Sequence, residues 1–368
     1  YMVPSLAPSL SNAQVVLLTP ATIDAGKSGI ATSLNEIYLR IIEEECMRSG
    51  LRFKALEFDM VDDSLVFTDI RRDRCPFPDS DDILGYLYLA LAPVAGHDPV
   101  LRSLSHVSSP VAIFDFIGGW KMPSFLKKTN VKLFTAAISG HTGQKVARYL
   151  CNLGHCHAAY ISPFHAAQWS RTRYESIAET FAAANPRNSV QSFTFDNPPL
   201  VYQYYKDPAH DYGNYDMLYE SYKTWKKNAP VDYSRQVEPV FTHLVPVILF
   251  SRAELHRVLR ELFENALAQE HITVWVCAND QVAIAALEYL NENEAPVPGR
   301  ISVFGFDDIY ESVRYGLTTY NFNIRSILHS MLAWIINPRT MPSSYKNRPV
   351  ELEGMIMERL TVRRACAR

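Results

Sequence analysis

One segment of the chain has the sequence Thr273-Val274-Trp275-Val276-Cys277-Ala278-Asn279-Asp280, an apolar run that ends in polar residues. The same arrangement returns further along as Ile301-Ser302-Val303-Phe304-Gly305-Phe306-Asp307-Asp308. Short apolar runs of this kind predict buried strands, and the amphipathic stretch between them predicts a helix. A strand, a helix and a second strand in this order are typical of a parallel sheet.

The same alternation runs through most of the chain. Strands are predicted at Val15–Leu18, Phe53–Leu56, Gly85–Leu89, Val111–Phe114, Val131–Phe134, Ala158–Ile161 and Val245–Leu249, and helices at 30–49, 143–153, 252–269 and 280–291. This rhythm predicts an α/β fold whose parallel sheets carry helices on both faces. Residues 196–240 interrupt it with many Tyr and Pro, and we interpret them as a packed insertion, with a lid or partner surface as the alternative.

Composition excludes several classes of function. The chain is 48% hydrophobic and 20% charged, as is ordinary for a globular protein, and its net charge of −3 argues against a DNA-holding surface. Arg71, Arg72 and Arg74 alternate with acidic residues, which indicates a solvated loop. No apolar run approaches the ~20 residues that span a bilayer, so no membrane partner is expected.

The six cysteines are scattered without a repeated spacing, which favours reduced thiols and a cytoplasmic location. Cys151, His155, Cys156 and His157 do not have the paired spacing of zinc ligands, so no metal is expected. No nucleophile elbow and no carboxylate pair in an acid–base context occurs, so we expect neither an enzyme nor a cofactor.

One motif favours a different function. Residues 21–28, which end in Gly26-Lys27-Ser28, follow a strand and imitate a phosphate-binding loop. However, Ala21 replaces the first glycine, and Asp24 would place a negative charge beside the phosphates. A nucleotide hydrolase is therefore the weaker alternative, and it predicts ATP turnover that is lost in Lys27→Ala.

The two segments quoted first, 273–280 and 301–308, together with Leu317-Thr318-Thr319, resemble the sensor domain of the lactose-repressor/galactose-repressor family. A weaker likeness extends over residues 14–363 and includes Leu153-Gly154-His155 and a closing strand at 353–359. The resemblance implies a periplasmic binding protein-like type I fold, with two doubly wound parallel-sheet lobes joined by three crossovers. By the family's layout, 14–134 plus 322–348 form the first lobe, 135–321 plus 349–363 form the second, and 1–13 is an extension or linker.

The resemblance also assigns ligand contacts. Asp115 would face the ligand from the first lobe, and Arg173, Asn279 and Asp307 from the second. Asn279 and Asp307 follow predicted strands directly, and open α/β sheets bind ligands at such carboxyl ends. The alternative for Asn279 and Asp280 is that they cap the following helix, and for Asp280 we favour capping.

Two aromatic residues, Trp169 and Phe322, are further candidates because each offers an apolar face to a sugar ring, with core packing as the equal alternative. Phe322 stands where the family often has a polar residue, which implies a less hydroxylated ligand. Ser176 replaces the glycine that the family usually has three residues after the ligand-binding arginine, which puts the local helix packing in question.

The predicted function is effector sensing in a bacterial transcription regulator, with a carbohydrate between the lobes. Binding would shift the population of two lobe arrangements and so alter DNA binding by a head upstream of Tyr1, in a homodimer. Helices 30–49 and 280–291 are the candidate dimer surfaces. The alternative is a solute-binding protein of a sugar transporter, and the encoded residues upstream of Tyr1 would discriminate between the two.

Overall fold

The computed structural model describes residues 13–20, 31–62, 64–69, 71, 73–90, 97–115, 122–126, 130–136, 140–163, 165, 168–194, 252–340 and 348–365. Four predictions lie outside these residues: the extension or linker at 1–13 except its last residue, the phosphate-loop imitation at 21–28, the Tyr-rich insertion at 196–240 and the strand at 245–249.

The described chain alternates strands and helices, as the sequence predicted. The strands are β1 (Gln14–Pro20), β2 (Arg52–Val61), β3 (Ser64–Thr68), β4 (Arg74–Cys75), β5 (Ile83–Ala90), β6 (Val111–Asp115), β7 (Val131–Thr135), β8 (His157–Ser162), β9 (Ser189–Thr194), β10 (Val274–Cys277), β11 (Ser302–Phe306), β12 (Thr318–Asn321), β13 (Val350–Glu351) and β14 (Met355–Met357). The helices are α1 (Ala31–Arg48), α2 (His97–His106), α3 (Gly140–Asn152), α4 (Gln168–Ala184), α5 (Arg252–Leu267), α6 (Asp280–Glu292), α7 (Tyr310–Arg314) and α8 (Ile324–Ile336).

Two sheets result. The first has the order β13-β7-β6-β5-β1-β2-β3-β4 and is parallel from β13 to β2. The second has the order β14-β12-β11-β10-β8-β9 and is parallel except for β14. The predicted α/β class with parallel sheets is confirmed.

Helices cover both faces of the first sheet. Ile113 of β6 packs in one core cluster with Leu101 of α2. Its neighbour Phe114 points to the other face because side chains alternate along a strand, and it contacts Tyr38 of α1 at a ring distance of 6.3 Å. Burial on both faces explains why this strand is a continuous apolar run.

The second sheet is covered in the same way. Trp275 of β10 stacks on Phe263 of α5, with ring centroids 5.8 Å apart. On the other face, Phe304 of β11 contacts Tyr149 of α3 at 6.1 Å. Each sheet therefore has its own helices and core.

The described residues group into two compact units. The first comprises the described residues up to Ala136 and Ile324–Leu352, and the second comprises those from Ala137 to Asn323 and from Glu353 onward. Phe322, which was predicted to lie in the first lobe, groups with the second unit. Within the described residues, no helix is both long and apolar enough to cross a membrane.

The segment around Arg71 and Arg74 was expected to be a solvated loop. Arg71, Asp73 and Arg74 are exposed, as expected, but Arg74 belongs to β4, which pairs antiparallel with β3 and extends the first sheet beyond β2. Only the turn between them is irregular, and there Asp69 Oδ1 accepts hydrogen bonds from the backbone N–H groups of Arg71 and Asp73. β3 has an apolar run of only three residues, Leu65-Val66-Phe67, and is partly exposed, and β4 has only two residues, so neither shows the longer buried run that marks the others.

Candidate functional site

Arg173 lies at the centre of the predicted site in the second unit. Its side chain projects from α4 and is buried. The guanidinium carbon lies 4.1 Å from the ring centroid of Phe306, 4.8 Å from Trp169 and 5.2 Å from Phe322. Positive charge over aromatic faces is stabilised by the ring quadrupoles, and this helps a cation to remain charged out of water.

The strand ends of the second sheet surround this guanidinium. Arg173 Nη1 donates a hydrogen bond of 2.5 Å to the carbonyl of Ala278, directly after β10. Phe306 ends β11, and Phe322 follows β12. The structure thus brings Arg173, Trp169 and Phe322 together at the carboxyl edge of the sheet, where α/β proteins bind ligands.

Asp307 lies at the same edge, immediately after β11. Its backbone N–H donates to the carbonyl of Tyr320 at 2.9 Å, and its φ of 105° is in a region that non-glycine residues rarely adopt. Burial raises the pKa of this carboxyl to about 7, and the nearby charge of Arg173 opposes the rise. The site therefore holds a carboxyl that changes charge near neutral pH beside a fixed cation.

Of the two neighbouring polar residues after β10, the first caps the following helix and the second does not, and the predicted ligand contact of Asn279 stays a prediction. Asn279 is the N-cap of α6, and its Oδ1 accepts a 2.9 Å hydrogen bond from the backbone N–H of Val282. The preference for Asp280 as the cap was wrong. Both residue types are good N-caps, so local sequence alone does not separate them.

Asp280 instead is fully buried and ties three elements together. It accepts hydrogen bonds from Ile309 N at 3.0 Å, Ser312 Oγ at 2.5 Å and Thr319 Oγ1 at 2.5 Å. Burial and the charge of Asp307 raise its pKa well above the usual range, while the donated hydrogen bonds oppose the rise. Asp280 thereby holds in place the backbone at Ile309, two residues after Asp307.

Gly305 makes room for this carboxyl. A Cβ atom at residue 305 would collide with Asp280 Oδ1 and approach Leu317 and Ala283. Sequence reasoning missed the Asp280 contacts because their partners lie 29 to 39 residues away. The available signal was a glycine in an otherwise large apolar strand, which indicates close approach by another group.

Asp308 does not point to a ligand role. Its carboxylate accepts hydrogen bonds from Arg359 Nη2 at 2.6 Å and Asn321 Nδ2 at 2.7 Å. Arg359 also donates to the carbonyl of Leu317 at 2.8 Å. This ion pair fastens the segment after β14 to the loop after β11, and Asn321 joins the end of β12 to the same carboxylate.

A buried polar cluster that the sequence did not predict lies below Arg173. Tyr160 Oη and Ser170 Oγ are 3.0 Å apart, and Ser162 Oγ lies 2.8 Å from the same hydroxyl. Burial raises the pKa of Tyr160, whereas Arg173 lowers it. The cluster links the end of β8 to the first turn of α4, which carries Trp169 and Arg173.

The helices α3 and α4 approach closely beside this cluster. Ser176 lies where a glycine was expected, and its Oγ donates to the Arg173 carbonyl at 3.0 Å. The close approach is made possible by Gly143 on α3. A Cβ atom at this position would collide with Ser176 Oγ and lie 2.7 Å from the Arg173 carbonyl oxygen. The absence of a side chain at Gly143 therefore leaves room for Ser176, and the two helices pack closely without a glycine at position 176.

Asp115, the ligand contact predicted from the first lobe, lies in the first unit. It ends β6, is buried, and pairs in register with Ala90 of β5 and Thr135 of β7. Its predicted contact with the ligand stays a prediction.

The Cys and His residues near β8 have structural surroundings. His155 is buried, with Nδ1 2.8 Å from Thr273 Oγ1 and Nε2 3.0 Å from the Arg363 carbonyl. Among the described residues, no group of three or more His, Cys, Asp or Glu side chains is placed to hold a metal ion. Cys46, Cys75, Cys151, Cys156 and Cys277 are free thiols.

Comparison with known proteins gives this arrangement a context. Residues 234–366 match the family model of the periplasmic binding protein-like domain. The matched residues include α5, α6, β10 to β14 and the Asp280 contacts, and the predicted resemblance to the lactose-repressor/galactose-repressor family is confirmed.

A short stretch also matches a curated relative. Over 56 residues the chain is 45% identical to the HTH-type transcriptional regulator GalR of Escherichia coli (strain K12). The match covers 15% of this chain and 16% of GalR. The matched stretch is thus only a small part of this regulator's length.

Solved structures with the same fold extend over nearly the whole chain. The transcriptional repressor ascG of Escherichia coli has a TM-score of 0.52 and 12% identity, covering 95% of this chain and 99% of its own. A LacI family transcriptional regulator from Enterococcus faecium, solved with bound ribose, has a TM-score of 0.53 and 14% identity, covering 96% and 100%. At these identities the likeness shows the fold alone, and the predicted periplasmic binding protein-like fold is confirmed.

Proposed function

We propose that this chain senses a small polar effector, a sugar or sugar derivative, and acts in the regulation of transcription rather than in catalysis. The observation that carries the proposal is the surroundings of Arg173: three aromatic faces, the Ala278 carbonyl and the Asp307 carboxyl at one sheet edge. Sites for small ligands commonly combine apolar walls with a few fixed polar groups.

The polar groups suit a hydroxylated ligand. Ala278 accepts from one of the five N–H donors of the guanidinium, which leaves others to donate to ligand oxygens. Asp307 accepts from hydroxyls when ionised, and Asn279 has an amide Nδ2 besides the Oδ1 that caps α6. The aromatic faces of Trp169 and Phe322 suit the apolar face of a sugar ring.

The regulatory part of the proposal is a population shift. A ligand changes the balance of two arrangements only by its differential affinity for them, and in a regulator this balance sets DNA binding. The support is the fold shared with transcription regulators and the match to GalR. We propose a cytoplasmic homodimer, as expected for such a regulator.

A thermal-shift screen of sugars, including ribose and galactose, tests the proposal. A ligand at 100 times its dissociation constant adds about 2.7 kcal/mol to the free energy of unfolding, which raises the melting temperature measurably. We expect at least one sugar or sugar derivative to give a saturable rise. If no member of a broad panel does so, the ligand class is wrong.

Site variants then test the residues. We expect Asp307→Asn and Arg173→Lys to weaken binding of the identified sugar at least roughly tenfold, because each loses a charge-assisted or bidentate hydrogen bond. Asp81→Asn removes an exposed carboxylate of the first unit and serves as the control. If both site variants bind as tightly as the wild type does, the site is elsewhere.

A further inference from the structure

A small cavity of about 60 Å³ lies at the amino ends of β10 and β11, opposite to the strand ends that hold Ala278 and Asp307. The residues that line it include Arg300, Arg363 and Arg364 together with His155, Thr273 and Ser302. One guanidinium nitrogen of Arg363 donates to the Gly299 carbonyl, and one of Arg300 donates to the Leu267 carbonyl. The cavity lies within the second unit, and the proposed effector site uses none of its residues.

The wall of this cavity is fixed by hydrogen bonds. His155 bridges Thr273 Oγ1 and the carbonyl of Arg363, and the backbone N–H of Arg363 donates to Ser302 Oγ at 3.3 Å. Ala365 N donates to the Leu153 carbonyl at 2.8 Å. The segment that carries two of the arginines is therefore held against the sheet, and such preorganisation lowers the entropic cost of binding.

The charge in the cavity is one-sided. Three lining residues are arginines, which are always charged, and none of the lining residues is acidic. Burial lowers the pKa of His155, so this imidazole is neutral at pH 7. Within the described residues, no ion pair joins Arg300 or Arg364 to a carboxylate.

Like charges around one small space repel each other, and a bound anion relieves the repulsion. Guanidinium groups match the oxygen geometry of phosphate with paired N–H donors, and the hydroxyl of Ser302, which accepts from the backbone N–H of Arg363, adds a further donor. We propose that this cavity is a second ligand site, which binds phosphate, either as the free anion or as the phosphate group of a phosphorylated metabolite.

Titration with inorganic phosphate tests the proposal, with ionic strength held constant by sodium chloride and the melting temperature as the readout. A site on the folded protein gives a rise that saturates. A rise without saturation is the effect of an excluded salt, and it would overturn the proposal.

Variants locate the binding. Arg300 and Arg364 are exposed, so Arg300→Gln with Arg364→Gln leaves the core intact, and we expect it to weaken phosphate binding at least roughly tenfold. Arg148→Gln removes an exposed arginine of the same unit that does not line the cavity, and binding should be unchanged. Equal phosphate affinity in the wild type and the double variant would refute the assignment.

A third arm identifies the source of the phosphate. Tighter binding of glucose 6-phosphate than of inorganic phosphate supports a phosphorylated metabolite, and the reverse supports the free anion. The glucose part of this ligand could also bind at the proposed effector site around Arg173. The variant with Arg300→Gln and Arg364→Gln controls for this, because it should lose the response to phosphate and keep any response to glucose.

Discussion

At the scale of single residues, Asp280 has the largest expected effect on stability. Three donors from β12, from α7 and from the loop before α7 depend on its carboxyl oxygens. Each buried donor left unpaired costs about 1–3 kcal/mol. Asp280→Ala should therefore lower the free energy of unfolding by about 3 kcal/mol or more, as measured by urea denaturation.

Asp280→Asn keeps one acceptor oxygen and should cost less than the alanine variant. The control Asp81→Asn, on the surface, should change the free energy of unfolding by no more than about 0.5 kcal/mol. A loss below about 1 kcal/mol in Asp280→Ala would contradict the assigned contacts.

Asp307 gives a prediction about pH. Because burial raises its pKa from 3.8 to about 7, the folded protein holds this proton more tightly than the unfolded chain does. Its contribution to stability is fully present below the unfolded pKa and is lost as the pH rises towards 7. The free energy of unfolding of the wild type should thus fall relative to Asp307→Asn between about pH 4 and pH 7.

Urea denaturation of both proteins at a series of pH values measures this difference. In Asp81→Asn the curve should run parallel to that of the wild type. A constant difference between the wild type and Asp307→Asn over this pH range would show that the carboxyl does not titrate as inferred.

At the scale of elements, the contact between α3 and α4 determines where Arg173 lies. Gly143→Ala places a methyl group against Ser176 Oγ and the Arg173 carbonyl. Overpacking of this kind costs about 1–3 kcal/mol. We expect that loss in thermal or urea unfolding, together with weaker binding of any sugar that the screen identifies.

Gly140→Ala is the matched control on the same helix. Its Cβ would lie 3.4 Å from Ser176 Cβ, which is an ordinary van der Waals contact. Alanine is the better helix former by up to about 1 kcal/mol, so this variant should be neutral or slightly more stable. Equal destabilisation by both substitutions would rule out the steric explanation.

The same elements show what the sequence can and cannot predict. Buried parallel strands such as β1 and β6 were found because both faces are covered and their sequences are continuously apolar. The hairpin of β3 and β4 was missed because β3 is partly exposed with an apolar run of only three residues, and β4 has only two residues. In the site, Arg173 was assigned by resemblance, whereas the Asp280 contacts depend on distant partners that no local pattern specifies.

At the scale of the whole molecule, exposed apolar side chains indicate where two copies of the chain could contact each other. Met47 on α1 is 72% exposed, and on α7 Tyr310 and Val313 are 72% and 61% exposed. The helix at 280–291, one of the two predicted dimer surfaces, is largely buried within its own unit. The proposed dimer therefore has better candidate surfaces on α1 and α7.

Analytical ultracentrifugation tests this assignment. Val313→Lys places a charge on the apolar side of α7 and should weaken a dimer at least roughly tenfold, since burying an unpaired charge costs several kcal/mol. Gln191→Lys adds the same charge at an exposed position on β9 and should leave the assembly unchanged. A monomeric wild type would refute the proposed dimer.

The backbone of Asp307 carries one more implication. A φ of 105° is comfortable for glycine and costly for aspartate, by about 1–3 kcal/mol. Selection for robustness alone would therefore favour glycine at this position. If Asp307 binds the effector as proposed, a lineage that lost the need for sensing could make that exchange and would gain a more stable protein that no longer responds.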